Sequence, residues 1–389
     1  MKSNITILIG SIAISVFLLE LTVRWWLPIS NVRYYYNAEI GTTLAPNSRM
    51  RWISEGDFDN VVETNSIGFH DSEHSWNKND GNEYRIIVLG DSYLEGLQVP
   101  IGNLFSQRLQ KTLIGEYSAN GISVINLGLS GRGPSQHYRI LDTIGRRLQP
   151  DLVVLAVTVS NDFRDSSPAF NPALYKPIYE ITADGAIALT RFEVPSTFSI
   201  QGMLQRSATA YAIVHLSSRF NFLNETLIRI GLLPRTTPAV RYAHDSLETE
   251  VPFDQQIYLK DPPVKWKEAK RITFRMISEI IDLADELGAP TLIFGIPTDK
   301  IIEVSEEELD GPSDPKSVDW ALPYRELREL LTSENASYVD LVPAFRERFH
   351  LHGERLRWKN DGHWNDRGHE IAAQVVARGI VQAGYLNEW

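Results

Sequence analysis

Val88-Leu-Gly-Asp-Ser-Tyr-Leu-Glu-Gly96, VLGDSYLEG in one-letter code, ends an apolar run at a glycine and sets a serine in the turn that follows. The run itself, Tyr84–Leu89, is short, apolar and rich in β-formers, as expected of a strand buried on both faces. Gly-Asp-Ser is ordinary turn chemistry, since glycine tolerates a positive φ and Asp or Ser caps the next helix. The same tripeptide also delivers a hydroxyl, that of Ser92, to the carboxyl end of a strand. Open α/β sheets hold their sites at that edge. The rest of the chain decides between the two readings.

Four more β-rich runs follow, at Val124–Leu129, Leu152–Val159, Thr291–Ile296 and Tyr338–Val342. Helical patterning lies between and after them, at Leu104–Tyr117, Ser135–Leu148, Lys265–Leu287, Tyr324–Leu331 and Arg367–Val381. This alternation predicts a doubly wound, flavodoxin-like α/β/α sandwich of about five parallel strands, carried by residues 84–165 and 263–389. Residues 166–262 are far too many for an ordinary connection and form an insertion, read as a cap or substrate-binding region. Within it, Ile178–Glu193 reads as a hairpin turning at Ala183-Asp-Gly185, and Gln201–Leu232 reads as helical. It leaves the sheet beside the site, so it is expected to govern substrate choice and not the chemistry. Its Tyr175, Tyr179, Phe192 and Tyr211 are of the kind that stack on sugar rings. Residues 28–83 read as an extended, loop-rich lead-in with short β-like pieces such as Ser48–Ile53.

The chain has 389 residues, a formal net charge of -11 and no cysteine. The acidic balance argues against nucleic acid as a partner, and the absence of cysteine excludes disulfides, thiolate nucleophiles and Cys-ligated zinc. Residues 5–23, ITILIGSIAISVFLLELTV, carry one charge, Glu20, and are long enough to cross a bilayer as a helix. Trp25-Trp26 follow, as aromatic side chains do at the lipid–water interface. An uncleaved single-pass anchor is therefore expected. Lys2 before the span and Arg24 and Arg33 after it leave its orientation open.

Three further stretches fall at the sheet edge that carries Ser92. They are Asn126-Leu-Gly-Leu-Ser-Gly-Arg-Gly-Pro134, Val159-Ser-Asn-Asp-Phe163 and Lys359-Asn-Asp-Gly-His-Trp-Asn-Asp366. Each alone passes for turn or capping chemistry; together they supply what acyl transfer needs. Ser92 can serve as nucleophile, His363 can take its proton, and Asp361 can fix the imidazole tautomer. The Ser92 and Gly131 backbone N–H groups and the Asn161 amide can furnish an oxyanion hole. Nothing in the pattern calls for a metal or a cofactor.

In the order of these blocks the chain resembles the SGNH (GDSL-type) hydrolase superfamily, in which Ser92, Gly131, Asn161 and His363 match the four named positions and Asp361 the triad acid. Ser160 stands where the family often has glycine, and the acid precedes the histidine by two residues where three is common. The two-residue form is similar to members acting on bacterial surface polysaccharides, including alginate O-acetyltransferases. The resemblance implies a serine esterase or acyltransferase acting on an O-acyl ester, an acetyl group on a carbohydrate, with the globular part facing the periplasm. The alternative is a non-catalytic carbohydrate-binding or assembly protein that keeps the fold. Among other histidines, His369 competes with His363 as base, His137 is near the site or in the core, and His350 and His352 read as a polar loop. Asp91 and Asp162 are expected to hold their turns, and Asn365 to cap the last helix.

Overall fold

The structure, a computed structural model, describes residues 2–26, 30–78, 83–196, 207–210, 213, 251–309 and 318–387. Helix α1, Lys2–Trp26, opens the chain, and its Asn4–Val23 stretch is long and apolar enough to cross a membrane. Its apolar side chains stand exposed, Ile7, Ile9 and Phe17 by more than half. The one charge within Asn4–Val23, Glu20, accepts hydrogen bonds from Ser207 Oγ (2.8 Å) and from the backbone N–H of Ala208 (2.7 Å) and Thr209 (2.9 Å).

The lead-in is more ordered than its composition suggested. It folds as two antiparallel hairpins, β1 (Tyr34–Asn37) with β2 (Gly41–Leu44), and β3 (Arg49–Ser54) with β4 (Phe58–Glu63). Val32, Leu44, Ala45, Met50 and Val62 bury a small core of their own with Leu97. That shared residue fastens the lead-in to the main domain.

The main sheet consists of β5 (Tyr84–Leu89), β6 (Ile122–Asn126), β7 (Leu152–Val157), β10 (Thr291–Gly295) and β11 (Ser337–Asp340). The insertion contributes a hairpin, β8 (Ile178–Ile181) with β9 (Ile187–Arg191). In the main sheet every pairing is parallel and the order is β6-β5-β7-β10-β11, the flavodoxin-like order. Ile86 to Leu89 and all of β7 are buried, which explains why these strands read as unbroken apolar runs. The second strand ends earlier than Val124–Leu129 would have it. Beyond Asn126 the chain still reaches back to β5, with Leu127 N–H on Val88 O (2.8 Å) and Leu129 N–H on Gly90 O (3.0 Å).

The flanking helices fall into two packed groups. One contains α3 (Phe105–Tyr117) and α9 (Asp366–Gln382); the other contains α4 (Pro134–Ile140), α5 (Asp162–Ser166) and α6 (Val264–Glu286). On α6 the buried residues Trp266, Ala269, Thr273, Met276, Ile277 and Ile280 recur every three or four positions, so one stripe faces the core. Between β10 and α9 lie α7 (Leu322–Ser333) and α8 (Val342–His352). Helix α8 corrects the reading of His350 and His352 as a polar loop: they close a helix, and His350 Nε2 meets Ile302 O at 2.9 Å. The helical reading of Gln201–Leu232 and the side chain of Tyr211 fall outside the described residues, apart from a short helical piece at 208–210.

Candidate active site

Ser92 is the first residue of a one-turn helix, α2 (Ser92–Glu95), set at the carboxyl end of β5. Asp91 caps that turn through its carboxylate, which accepts Tyr93 N–H at 3.0 Å, and Gly96 closes it in the left-handed conformation. Strand, cap and turn thus fix the Ser92 backbone before any catalytic demand is made of it.

The loop bearing Asp361 and His363 closes on itself. Arg357 and Trp364 form an antiparallel bridge, and Trp358 N–H donates to His363 O at 2.9 Å. Fully buried Trp364 anchors it among Tyr93, Phe345 and His369. Asn365 then caps α9, accepting from Arg367 and Gly368 N–H, each at 3.0 Å. Across this frame His363 Nε2 lies 2.7 Å from Ser92 Oγ, and His363 Nδ1 lies 2.6 Å from Asp361 Oδ1. The hydroxyl, imidazole and carboxylate form one continuous hydrogen-bonded chain. His363 keeps 26% of its side chain exposed and Asp361 15%, so the imidazole is more open to solvent than the carboxylate.

The oxyanion candidates lie along the same edge. Asn161 Nδ2 donates to Asp91 Oδ2 at 2.9 Å, which places its amide beside the residue preceding Ser92 and leaves its second N–H uncommitted. Asp91 is buried, and that burial pushes its carboxyl above the ordinary range. Asp162 holds its turn as expected, accepting Thr158 N–H at 2.8 Å. Gly131 adopts φ +64°, a conformation that disfavours any side chain. Gly128, three residues earlier, lets its loop lie against α2, where an added Cβ would sit 2.5 Å from Glu95 N.

Several residues that sequence reasoning passed over complete the site. Glu95 is fully buried and accepts the Tyr34 hydroxyl at 2.9 and 2.8 Å on its two oxygens, together with the Ser130 hydroxyl. Burial pushes its pKa up to about 7. Tyr93 packs against the His363 ring at a tilt of 49°, centroids 4.8 Å apart, and donates its hydroxyl to Gly362 O at 3.2 Å. Arg357 donates to Gly362 O (3.0 Å), the Tyr93 hydroxyl and Pro297 O, bracing the histidine loop against the end of β10. From the lead-in, Asp57 accepts the backbone N–H groups of Asn360 and Asp361, both at 2.8 Å. A charge inside the apolar turn YLEG was the one signal that pointed to Glu95.

The competing histidines have other duties. His369 is buried and its Nδ1 accepts Phe105 N–H at 3.2 Å; burial pulls its pKa down to about 3. His137 is fully buried with a pKa drawn down to about 3, a neutral ring in the core. Of the insertion's aromatic residues, Tyr179 is 6% exposed and packs edge-on against Tyr138, so it serves the core. Tyr175 packs edge-on against Tyr36, 5.7 Å away, and Arg139 lies over the Phe192 ring.

No family model matches the chain, and no curated protein does. Among solved structures it is similar to TesA, with 12% identity, 76% of this chain and 98% of that chain covered, and a TM-score of 0.38. It is similar to the acetylxylan esterase Axe2 from Geobacillus stearothermophilus, with 14% identity, coverage of 77% and 95%, and a TM-score of 0.40. A GDSL-like lipase from Parabacteroides merdae gives 11% identity, coverage of 79% and 99%, and a TM-score of 0.40. At such values, what this chain does has to be read from its own side chains.

Proposed function

We propose that the chain is a membrane-anchored serine esterase or acyltransferase acting on an O-acyl ester. The observation that carries this reading is the unbroken hydrogen-bonded chain from Ser92 Oγ through His363 to Asp361. In the proposed reaction His363 Nε2 takes the Ser92 proton as Oγ attacks the ester carbonyl, and Asp361 stabilises the imidazolium. The Ser92 and Gly131 N–H groups and the Asn161 amide receive the charge developing on the carbonyl oxygen. His363 returns its proton to the leaving alkoxide, and an acyl group remains on Ser92. Water or a sugar hydroxyl, deprotonated in turn by His363, then takes that acyl group, and His363 returns the proton to Ser92 Oγ as its bond to the acyl carbon breaks.

An acetyl ester of a carbohydrate is the substrate class we favour, on the resemblance of the Asp361-Gly-His363 spacing to polysaccharide-modifying members. We place the globular part outside the cytoplasm with α1 as the anchor; reporter enzymes fused after Arg33 test that side. The decisive experiment is labelling with a fluorophosphonate probe. Wild-type protein should be labelled and Ser92→Ala should not. A folded wild-type protein that resists the probe would return the chain to the class of binding or assembly proteins.

A further inference from the structure

Ser130-Gly131-Arg132 is gripped from three sides. Glu95 of α2 takes the Ser130 hydroxyl, and Thr42 of β2 takes Arg132 Nη2 on its carbonyl (3.1 Å) and hydroxyl (2.6 Å). The third grip comes from the insertion, where Lys176 Nζ donates to Gly131 O at 2.5 Å. The ammonium also lies 3.2 Å from the point where a Cβ on Gly131 would stand. Resting on the esterase reading above, we propose that Lys176 is a positioning residue of the oxyanion hole, its ammonium holding Gly131 in the left-handed conformation that presents the Gly131 N–H.

The physical reason is the softness of the residue being held. Glycine populates many backbone conformations, and one oriented N–H is worth little unless its peptide is fixed before reaction. A charged donor on the adjoining carbonyl makes a hydrogen bond about twice as strong as a neutral one. Only a charged ammonium or guanidinium at this point gives that strength. Sequence reading expected the insertion to leave the chemistry alone, yet Lys176 gives it a direct hold on the oxyanion loop.

The state of Lys176 can be followed by pH. Burial brings its pKa down from 10.5 to about 8; Asp165 opposes that fall, while Arg132 and Arg164 add to it. The groups facing it are therefore Arg164 and Asp165 of α5 and Arg132 of the gripped loop, with Tyr175 beside it in the chain. Lys176 is protonated below pH 8 and loses its proton as pH rises through that value. Turnover should accordingly fall on the alkaline side.

The test is 4-nitrophenyl acetate turnover by the full chain in detergent micelles from pH 6 to 10, with Ser92→Ala as the blank. Wild-type kcat should decline about tenfold with a midpoint near pH 8. Lys176→Arg should keep kcat within about threefold at pH 7 and carry its plateau past pH 9. Lys176→Met should lose about tenfold in kcat at pH 7 with KM little changed, and show no alkaline decline. A wild-type profile flat to pH 9.5 overturns the proposal even if Lys176→Met fails to fold, and so does a Lys176→Met profile equal to wild type. Absence of wild-type turnover together with absence of fluorophosphonate labelling overturns the esterase reading first, and the role of Lys176 with it.

Discussion

Replacing Glu95 by glutamine should make the protein more stable at pH 8 while making it a poorer catalyst. Glu95 is fully buried, and its carboxyl rises from the ordinary 4.5 to about 7 because burial penalises the charged form. The folded state thus binds this proton more tightly than the unfolded state does. Stability from this group is complete below pH 4.5, is lost as pH rises toward 7, and stays level beyond. At about 1.36 kcal/mol per pH unit, the rise amounts to about 3 kcal/mol of destabilisation above pH 7. Glutamine keeps the shape but offers one acceptor where Tyr34 and Ser130 now find two, a loss of about 1 kcal/mol. The balance is a gain of about 2 kcal/mol at pH 8 and a loss of about 1 kcal/mol at pH 4.5. Urea unfolding of the full chain in detergent, followed by tryptophan fluorescence at both pH values, measures it. Equal destabilisation at the two pH values would refute the reasoning, because no ionisation penalty would then have been removed. Turnover should fall because the Ser130 hydroxyl would donate to a neutral amide oxygen in place of a carboxylate, a weaker bond that loosens the Gly131 loop.

Three other outcomes follow from the same geometry. Ser92→Ala and His363→Ala should each abolish most turnover of an activated acetyl ester, and the double variant should be little worse than either, since the pair acts as one unit. Full additivity would show that they do not. Asn161→Ala should cost about a hundred- to a thousandfold in kcat, as removal of one oxyanion donor does, in protein whose circular dichroism is unchanged. Asp57→Ala should lower kcat about tenfold and leave fluorophosphonate labelling of Ser92 detectable but slower, because two N–H groups of the Asp361 loop lose their acceptor; labelling at the wild-type rate would count against that support.

What could be read from the sequence divides along a physical line. The five strands and their principal helices were legible because burial on two faces writes an apolar run, and burial on one face writes a stripe. Ser92, Asn161, Asp361 and His363 stood out because the chemistry proposed for them requires particular residue types beside turn signals. Helix α8 was missed for a specific reason: buried Arg346 faces inward, its guanidinium on the carbonyls of Ile301 and Val304 (each 2.8 Å), so a charge interrupts the apolar stripe. Asp57, Tyr34 and Lys176 left no signature at all. Each acts on a partner distant in the chain through an ordinary hydrogen bond, and only the folded geometry brings the two together.

The grip of the lead-in on the site changes how this protein can be dissected. A fragment starting at Tyr84 would contain the whole sheet and every member of the proposed triad and oxyanion hole. It would also lack Asp57 beneath the histidine loop, Tyr34 against Glu95 and Thr42 against Arg132. Such a fragment should fold around its sheet and still work badly, so a motif-guided cut would give a false negative. The workable excision point lies ahead of Ser30, whose hydroxyl already accepts Ile53 N–H at 2.9 Å in the lead-in. In functional terms the proposed enzyme begins where its second layer of support begins, more than a strand's length before its first signature residue.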